Sequence, residues 1–272
     1  MGKGLIWINA LVLCLAIFGC QSSKVNQEIL PEVTAVFPSA DTLPENLLRM
    51  YVQFSEPMKT IGNLEKIKLL NEKGLEVRGA IFNNVYELWD REQQQLTLIF
   101  DPSRVKTGLE ANERWGRALQ AGKRYKLLIG PLEAVDGAQL KAAYTKSFYV
   151  GEADRLPPDP KRWALELPTA NRPSPLIVRF PEMLDRLSLL QRLQLTDQNN
   201  RPLEGQVEIS RQETEWRFVP TEKWSSGDYI LYVHGRLEDP CGNNLNGLFD
   251  HRAGHLKNEQ EGVIETIPIT IH

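Results

Sequence analysis

The residues best equipped for chemistry crowd towards the C-terminal end. Asp239, Asn243, Asn244, Asn246, Asp250, His251 and His255 fall within one short stretch. Carboxylate and amide oxygens gathered this closely suit Ca²⁺, which takes about six to eight oxygen ligands. Asp239, Asn243, Asn244 and Asp250 are the candidate metal ligands. Their spacing is not that of an EF-hand loop. Asp and Asn also collect in turns for a local reason, because their side chains bond the nearby backbone. His251 and His255 would share a helix face, but Gly254 weakens a helix there. A zinc site would need a further ligand, such as Asp250 or His234.

Other chemically capable groups are dispersed. Glu56 and Glu182 occupy matched positions in a repeat, one in each copy, which separates them too far for a paired-carboxylate mechanism. The chain has no Gly-x-Ser-x-Gly and no phosphate-cradling glycine loop. The expectation is therefore no catalytic residue and no cofactor, with Ca²⁺ as the one ion the loop would suit. Trp115 and Trp224 are the candidate ligand contacts, because a Trp beside a turn or insertion can stack on a flat sugar or peptide group. Trp216 occupies an apolar repeat position and reads as core. Cys241 reads as an inert turn residue with no activating cation beside it.

The elements that must hold these residues come from a duplication. One constant offset carries Val52 onto Val178, Phe54 onto Phe180, Leu64 onto Leu190, Ile67 onto Leu193, Leu69 onto Leu195, Gly79 onto Gly205 and Ile81 onto Val207. Smaller offsets then carry Leu98 and Phe100 onto Trp216 and Phe218, and Leu127 and Ile129 onto Leu231 and Val233. The changes of offset mark loops of unequal length. The largest difference is an insertion at residues 103–121, where Val105, Leu109, Trp115, Ala118 and Leu119 predict a short helix or a folded flap. Apolar residues alternate with others in each copy, as at Met50, Val52 and Phe54, which is the half-buried strand pattern. Turns at short intervals then predict sandwiches. Pro157, Pro158 and Pro160 predict an extended, fairly stiff linker.

Two motifs give the copies a family likeness. Val52-Gln53-Phe54-Ser55-Glu56-Pro57-Met58 opens the first, and Asp239-Pro240-Cys241-Gly242-Asn243 follows a late strand of the second. Together they resemble the bacterial Ig-like domain of the S-layer SbsA type. That resemblance implies an all-β chain of two tandem immunoglobulin-like antiparallel β-sandwiches, of a kind that serves as spacer, surface building block or accessory domain.

The front end has its own pattern. Lys3 precedes an apolar run from Leu5 to Phe18, and Gln21-Ser22-Ser23-Lys24 follows at once. This is a secretory signal, too short for a comfortable membrane span. Ile17-Phe18-Gly19-Cys20 resembles the lipobox of bacterial lipoproteins, which implies lipidation of Cys20 and cleavage before it. Gln21 favours the outer membrane by resemblance to the enteric sorting rule. Cys14 then lies in the removed leader, so Cys241 has no disulfide partner. The expected organisation is signal peptide 1–19, lipidated cysteine and tether 20–31, sandwich 32–152, linker 153–162 and sandwich 163–272.

Composition narrows the function. Hydrophobic residues make up 42%, charged residues 25%, and the net charge is −3. No basic stripe exists to attract nucleic acid. The reading is a non-catalytic envelope lipoprotein, structural or protein-interacting, held on a membrane by its lipid. The alternative is a lipoprotein that binds glycan or Ca²⁺ through the 103–121 insertion or the 239–255 loop.

Overall fold

Strands form where the period-two pattern lies, and their inward residues make two separate cores. The computed structural model describes residues 30–83, 86–172, 174–250 and 264–272. In the first module β1 (Val33–Phe37), β3 (Arg49–Phe54), β6 (Gln95–Ile99) and β5 (Leu88–Trp89) form one sheet in that order. The facing sheet runs β2 (Thr42–Pro44), β8 (Tyr144–Gly151), β7 (Arg124–Ile129), β4 (Ile67–Leu70). Met50, Val52 and Phe54 point inward from β3 and meet Leu127, Ile129 and Phe148 in one cluster.

The second module repeats the plan. β9 (Ala164–Glu166), β10 (Leu176–Arg179), β13 (Glu215–Pro220) and β12 (Gly205–Ser210) form one sheet. β11 (Leu193–Asp197), β14 (Gly227–His234) and β15 (Ile264–Ile271) form the other. Its core gathers Leu176, Val178, Leu195, Leu231 and Val233 around Trp216 and Phe218, whose rings stack at 5.8 Å. The chain is all-β with two immunoglobulin-like sandwiches.

Pairing registers support the duplication residue by residue. Ile67 pairs with Ile129 and Leu69 with Leu127, while their counterparts Leu193 and Leu195 pair with Val233 and Leu231. Ile81 bridges Phe100 as Val207 pairs with Phe218. One register differs. Val52 pairs with Leu96, but Val178 pairs with Trp216, the counterpart of Leu98. A shift of two residues keeps every side chain on its own face, so both cores tolerate it.

Two features depart from the sequence reading. The first sandwich is not wholly antiparallel, because β2 pairs parallel with β8. The link from β1 to β3 crosses between sheets and lays buried Leu43 along the open edge of β8, which covers that edge. The linker is also bonded to the modules it joins. Residues 152–159 have no regular structure, but Asp154 within them is bonded to both modules. Among the described residues no helix is long and apolar enough to cross a membrane.

Leu127 and Leu231 hold matched positions and neither has exposed surface. Leu127→Ala and Leu231→Ala are each expected to lower the unfolding free energy by about 2–5 kcal/mol in urea titration. A loss below about 1 kcal/mol at either site would contradict its place in the core.

Candidate functional site

The seam between the modules collects most of the buried polar chemistry. It begins with α3 (Arg186–Arg192), whose N-terminal N–H groups need acceptors. Asp185 caps it, accepting from the Ser188 N–H at 2.8 Å. The second oxygen of the same carboxylate accepts from the Tyr51 hydroxyl at 2.6 Å, across the seam. Tyr51 is an outward residue of β3, yet it is buried because the second module covers it. Beside it Arg49 donates to Glu238 at 2.5 Å, and the Arg186 guanidinium lies 4.2 Å from the centre of the Phe37 ring.

A second contact uses strained backbone. The β12–β13 turn places three successive non-glycine residues, Arg211, Gln212 and Glu213, at φ of 52°, 57° and 61°. Each left-handed residue costs about 1–2 kcal/mol. The geometry turns Glu213 towards the first module, where its carboxylate accepts from the Ser39 N–H and hydroxyl, both at 2.8 Å. The Glu213 carbonyl also accepts from Leu184 N–H at 3.0 Å, which holds the tip down.

The oxygen-rich loop forms the third contact. Asp239 has no exposed surface. Its Oδ1 accepts from the N–H groups of Cys241 and Asn243, and its Oδ2 from the Asn243 amide. The Asn243 amide also reaches the Asp154 carbonyl at 3.3 Å, to which Asn46 of the first module donates at 2.7 Å. Asn46 Oδ1 in turn accepts from Asp154 N–H and from the Cys241 thiol. Leu48 N–H donates to the Pro240 carbonyl at 2.9 Å. Only glycine fits at 242: φ is +81°, and a Cβ would stand 2.6 Å from Leu48 Cδ2. Met183 and Phe249 add apolar contact by packing against the first module's core.

The insertion completes the seam. It folds as two short helices, α1 (Pro102–Val105) and α2 (Glu110–Trp115). Buried Arg104 ties them down by donating to the carbonyls of Arg78, Gly116 and Arg117. Asp250 accepts from Thr107 N–H and hydroxyl and from Arg117, at 2.7–2.8 Å. The two segments that distinguish the copies therefore meet each other.

Electrostatics follow from this burial. Burial and the nearby Asp154 carboxylate push Asp239 up to about 8, against the pull of its hydrogen bonds from Asn243 and Cys241. Burial also raises Asp185 and Glu238, and Arg49 only partly offsets it. Arg49 itself is raised, because Glu238 and Asp185 together outweigh its desolvation. Burial opposes the charge on Asp250 too, but the Thr107 and Arg117 bonds hold it below the usual range. The Cys241 thiol is buried and pushed well up, which leaves it little thiolate.

The four candidate metal residues each take hydrogen bonds of their own. Asp239 serves its own turn, Asn243 Oδ1 accepts from Phe249 N–H, Asn244 Oδ1 accepts from Asn246 N–H, and Asp250 faces the insertion. Among the described residues no group of three or more His, Cys, Asp or Glu could hold a metal ion. His251, His255 and Cys20 lie outside the described residues. Trp224 packs inward. It is buried, its indole N–H donates to the Ser174 carbonyl at 2.6 Å, and its ring packs edge-on to Phe218 and Tyr229. Trp115 differs: it is 60% exposed and lines an open pocket with Leu109, Glu110 and Arg114. The sequence reading missed Tyr51, Asp185, Glu213 and Asn46. Asp185 ahead of an apolar helix is a capping signal, but nothing in the sequence joins it to Tyr51.

No protein-family model matches the chain, and no curated protein matches it. Several solved structures show a distant likeness. CopC from Methylosinus trichosporium OB3b is 15% identical, with 46% of this chain and 98% of that one covered and a TM-score of 0.30. The S-layer protein rSbsC(31-844) is 10% identical, with 90% and 41% covered and a TM-score of 0.32. The Ig1-2 module of the Drosophila receptor protein tyrosine phosphatase DLAR is 9% identical, with 90% and 100% covered and a TM-score of 0.26. Such values carry no functional argument.

Asp239 gives the seam a pH dependence. With a folded pKa raised from 3.8 to about 8, the native state binds the extra proton. Stability is thus fully present below pH about 4 and declines as pH rises to about 8. Urea unfolding at pH 5 and pH 8.5 should show wild type losing about 2–4 kcal/mol more than Asp239→Asn over that interval. Parallel losses would mean that Asp239 does not titrate there.

Proposed function

We propose that this chain is a non-catalytic cell-envelope lipoprotein whose two sandwiches act as one rigid body for structure and protein interaction. The observation that carries the reading is the seam. The groups with most chemical potential, Asp185, Glu213, Glu238, Asp239, Asp250, Arg49 and Tyr51, bond across or beneath it. A carboxylate engaged by two or three donors has fewer lone pairs left to offer a metal or a substrate. The same bonds fix the angle between modules, since each buried group left unpaired would cost about 1–3 kcal/mol. A fixed pair of sandwiches suits a spacer or scaffold better than a flexible one, because it presents its outer faces in a constant relation.

The anchor belongs to the same proposal. The apolar run ending at Gly19-Cys20 is the basis for placing lipid on Cys20, and Gln21 for an outer-membrane destination. Each buried CH₂ of an acyl chain contributes about 0.8 kcal/mol, so more than one chain gives stable attachment. The SbsA-type likeness of the modules agrees with a surface or spacer role. The partner would then be the membrane through the lipid and an envelope protein through the modules.

Rigidity is tested by calorimetry. One cooperative transition is expected for the wild type, and the double variant Arg49→Met/Tyr51→Phe should separate it into two. Two independent transitions in the wild type would overturn the rigid-body reading. For the anchor, Cys20→Ser should lose the lipid mass and move to the soluble fraction. A variant that stays membrane-bound at unchanged mass would remove the lipoprotein claim.

A further inference from the structure

The two modules, alike in strand order, differ in the outer face of one sheet. In the second module that face is charged. Its rows read Ala164, Arg179, Glu215, Ser210 and Glu166, Ile177, Arg217, Glu208 across β9, β10, β13 and β12. Arg179 pairs with Glu166 and Glu215 at 2.9 Å, and Arg211 with Glu215 at 3.0 Å. In the first module Thr97 and Ile99 stand where the second has Glu215 and Arg217.

The first module's rows are apolar but for Arg49 and Thr97. One runs Phe37, Tyr51, Thr97, Leu88 across β1, β3, β6 and β5. The next runs Arg49, Ile99, Phe82, with the Phe82 N–H on the Ile99 carbonyl at 2.7 Å. The second module seats on one end of both rows, through Arg186 on Phe37, Asp185 on Tyr51 and Glu238 on Arg49. Among the described residues the other end is open. Phe82 and Leu88 are exposed there, with Tyr86 between them in sequence. Among the described residues, these two rows are covered by the second module on their β1–β3 half and leave Phe82 and Leu88 exposed on their β6–β5 half.

We propose that this uncovered half is a self-association surface, on which a second copy of the chain docks through Phe82, Leu88 and Ile99. The proposal rests on the interaction-module reading and names its partner. Three observations support it. The surface continues an interface that the chain already makes with a module of its own kind. No charged residue stands in either row beyond Arg49, so no charge pattern selects a partner of opposite sign. Two copies can meet through such a face about a two-fold axis, where residue i of one meets residue j of the other and the reverse. The charged face of the second module is the internal control, because the same strands there present ion pairs that favour solvent.

The test places a photo-reactive benzoyl-phenylalanine at Leu88 or at Thr97 of the full chain expressed in a bacterial envelope, with Glu208 as control. Irradiation is expected to give an adduct of twice the mass, containing only this chain, from positions 88 and 97 but not from 208. With the probe at 97, Phe82→Asp and Leu88→Asp should each abolish that adduct while leaving the thermal transition within about 2 °C. Only monomer from both positions, or equal dimer from position 208, would overturn the proposal. An adduct to a different protein would overturn self-association and leave the interaction-module reading standing. Two separate calorimetric transitions beside a chain-only adduct would do the reverse.

Discussion

A carboxylate buried between two sandwiches must find its donors there, and Asp185 finds them in both. One oxygen caps α3 of its own module, and the other takes the Tyr51 hydroxyl of its neighbour. Neither bond can move without exposing a polar group to an apolar surround. The rest of the seam obeys the same rule. Glu213 is satisfied by Ser39, Asn243 and Asn46 share the Asp154 carbonyl, and Asp250 is held by Thr107 and Arg117. Polar contacts of this sort are directional, so they fix an angle where apolar packing alone would allow several. Met183 and Phe249 supply the apolar contact that keeps water out.

The seam also explains how a duplicated module came to need specialised parts. Strand order and most registers are shared, so the two cores impose little difference. Several of the differences lie where one copy meets the other. The insertion after Phe100 brings Thr107 and Arg117 to Asp250. The β12–β13 turn accepts three left-handed residues to aim Glu213 at Ser39. Gly242 permits the close approach of Leu48. The strain at residues 211–213 is tolerable because the tip is bonded on two sides, by Leu184 and by Ser39.

The stretch from Asp239 to Asp250 shows how one sequence signal serves two kinds of chemistry. Dense Asp and Asn suggest cation ligands because both supply oxygens. Here those oxygens accept N–H groups from the loop's own backbone and from the first module. Calcium needs oxygens that converge with free lone pairs. Asp239 and Asp250 point to different partners. Trp224 carries the same lesson, since a Trp beside a turn can close a core as readily as it can open to solvent.

The sequence by itself determined the elements and their repetition. Period-two alternation sets which residues face inward, because a strand has only two faces. Matched apolar positions then identified the two sandwiches, and the shifts in offset located the insertion and the oxygen-rich loop as departures from the scaffold. Only the tertiary structure decided what those departures do. Tyr51 and Asp185, or Asn46 and Cys241, are far apart in the chain, and neither residue type announces a partner. Their pairing depends on the angle at which one sandwich meets the other, and that angle is set jointly by all the buried donors and acceptors of the seam. Local patterns carry no term for it, and for that reason the seam could be read only from the folded chain.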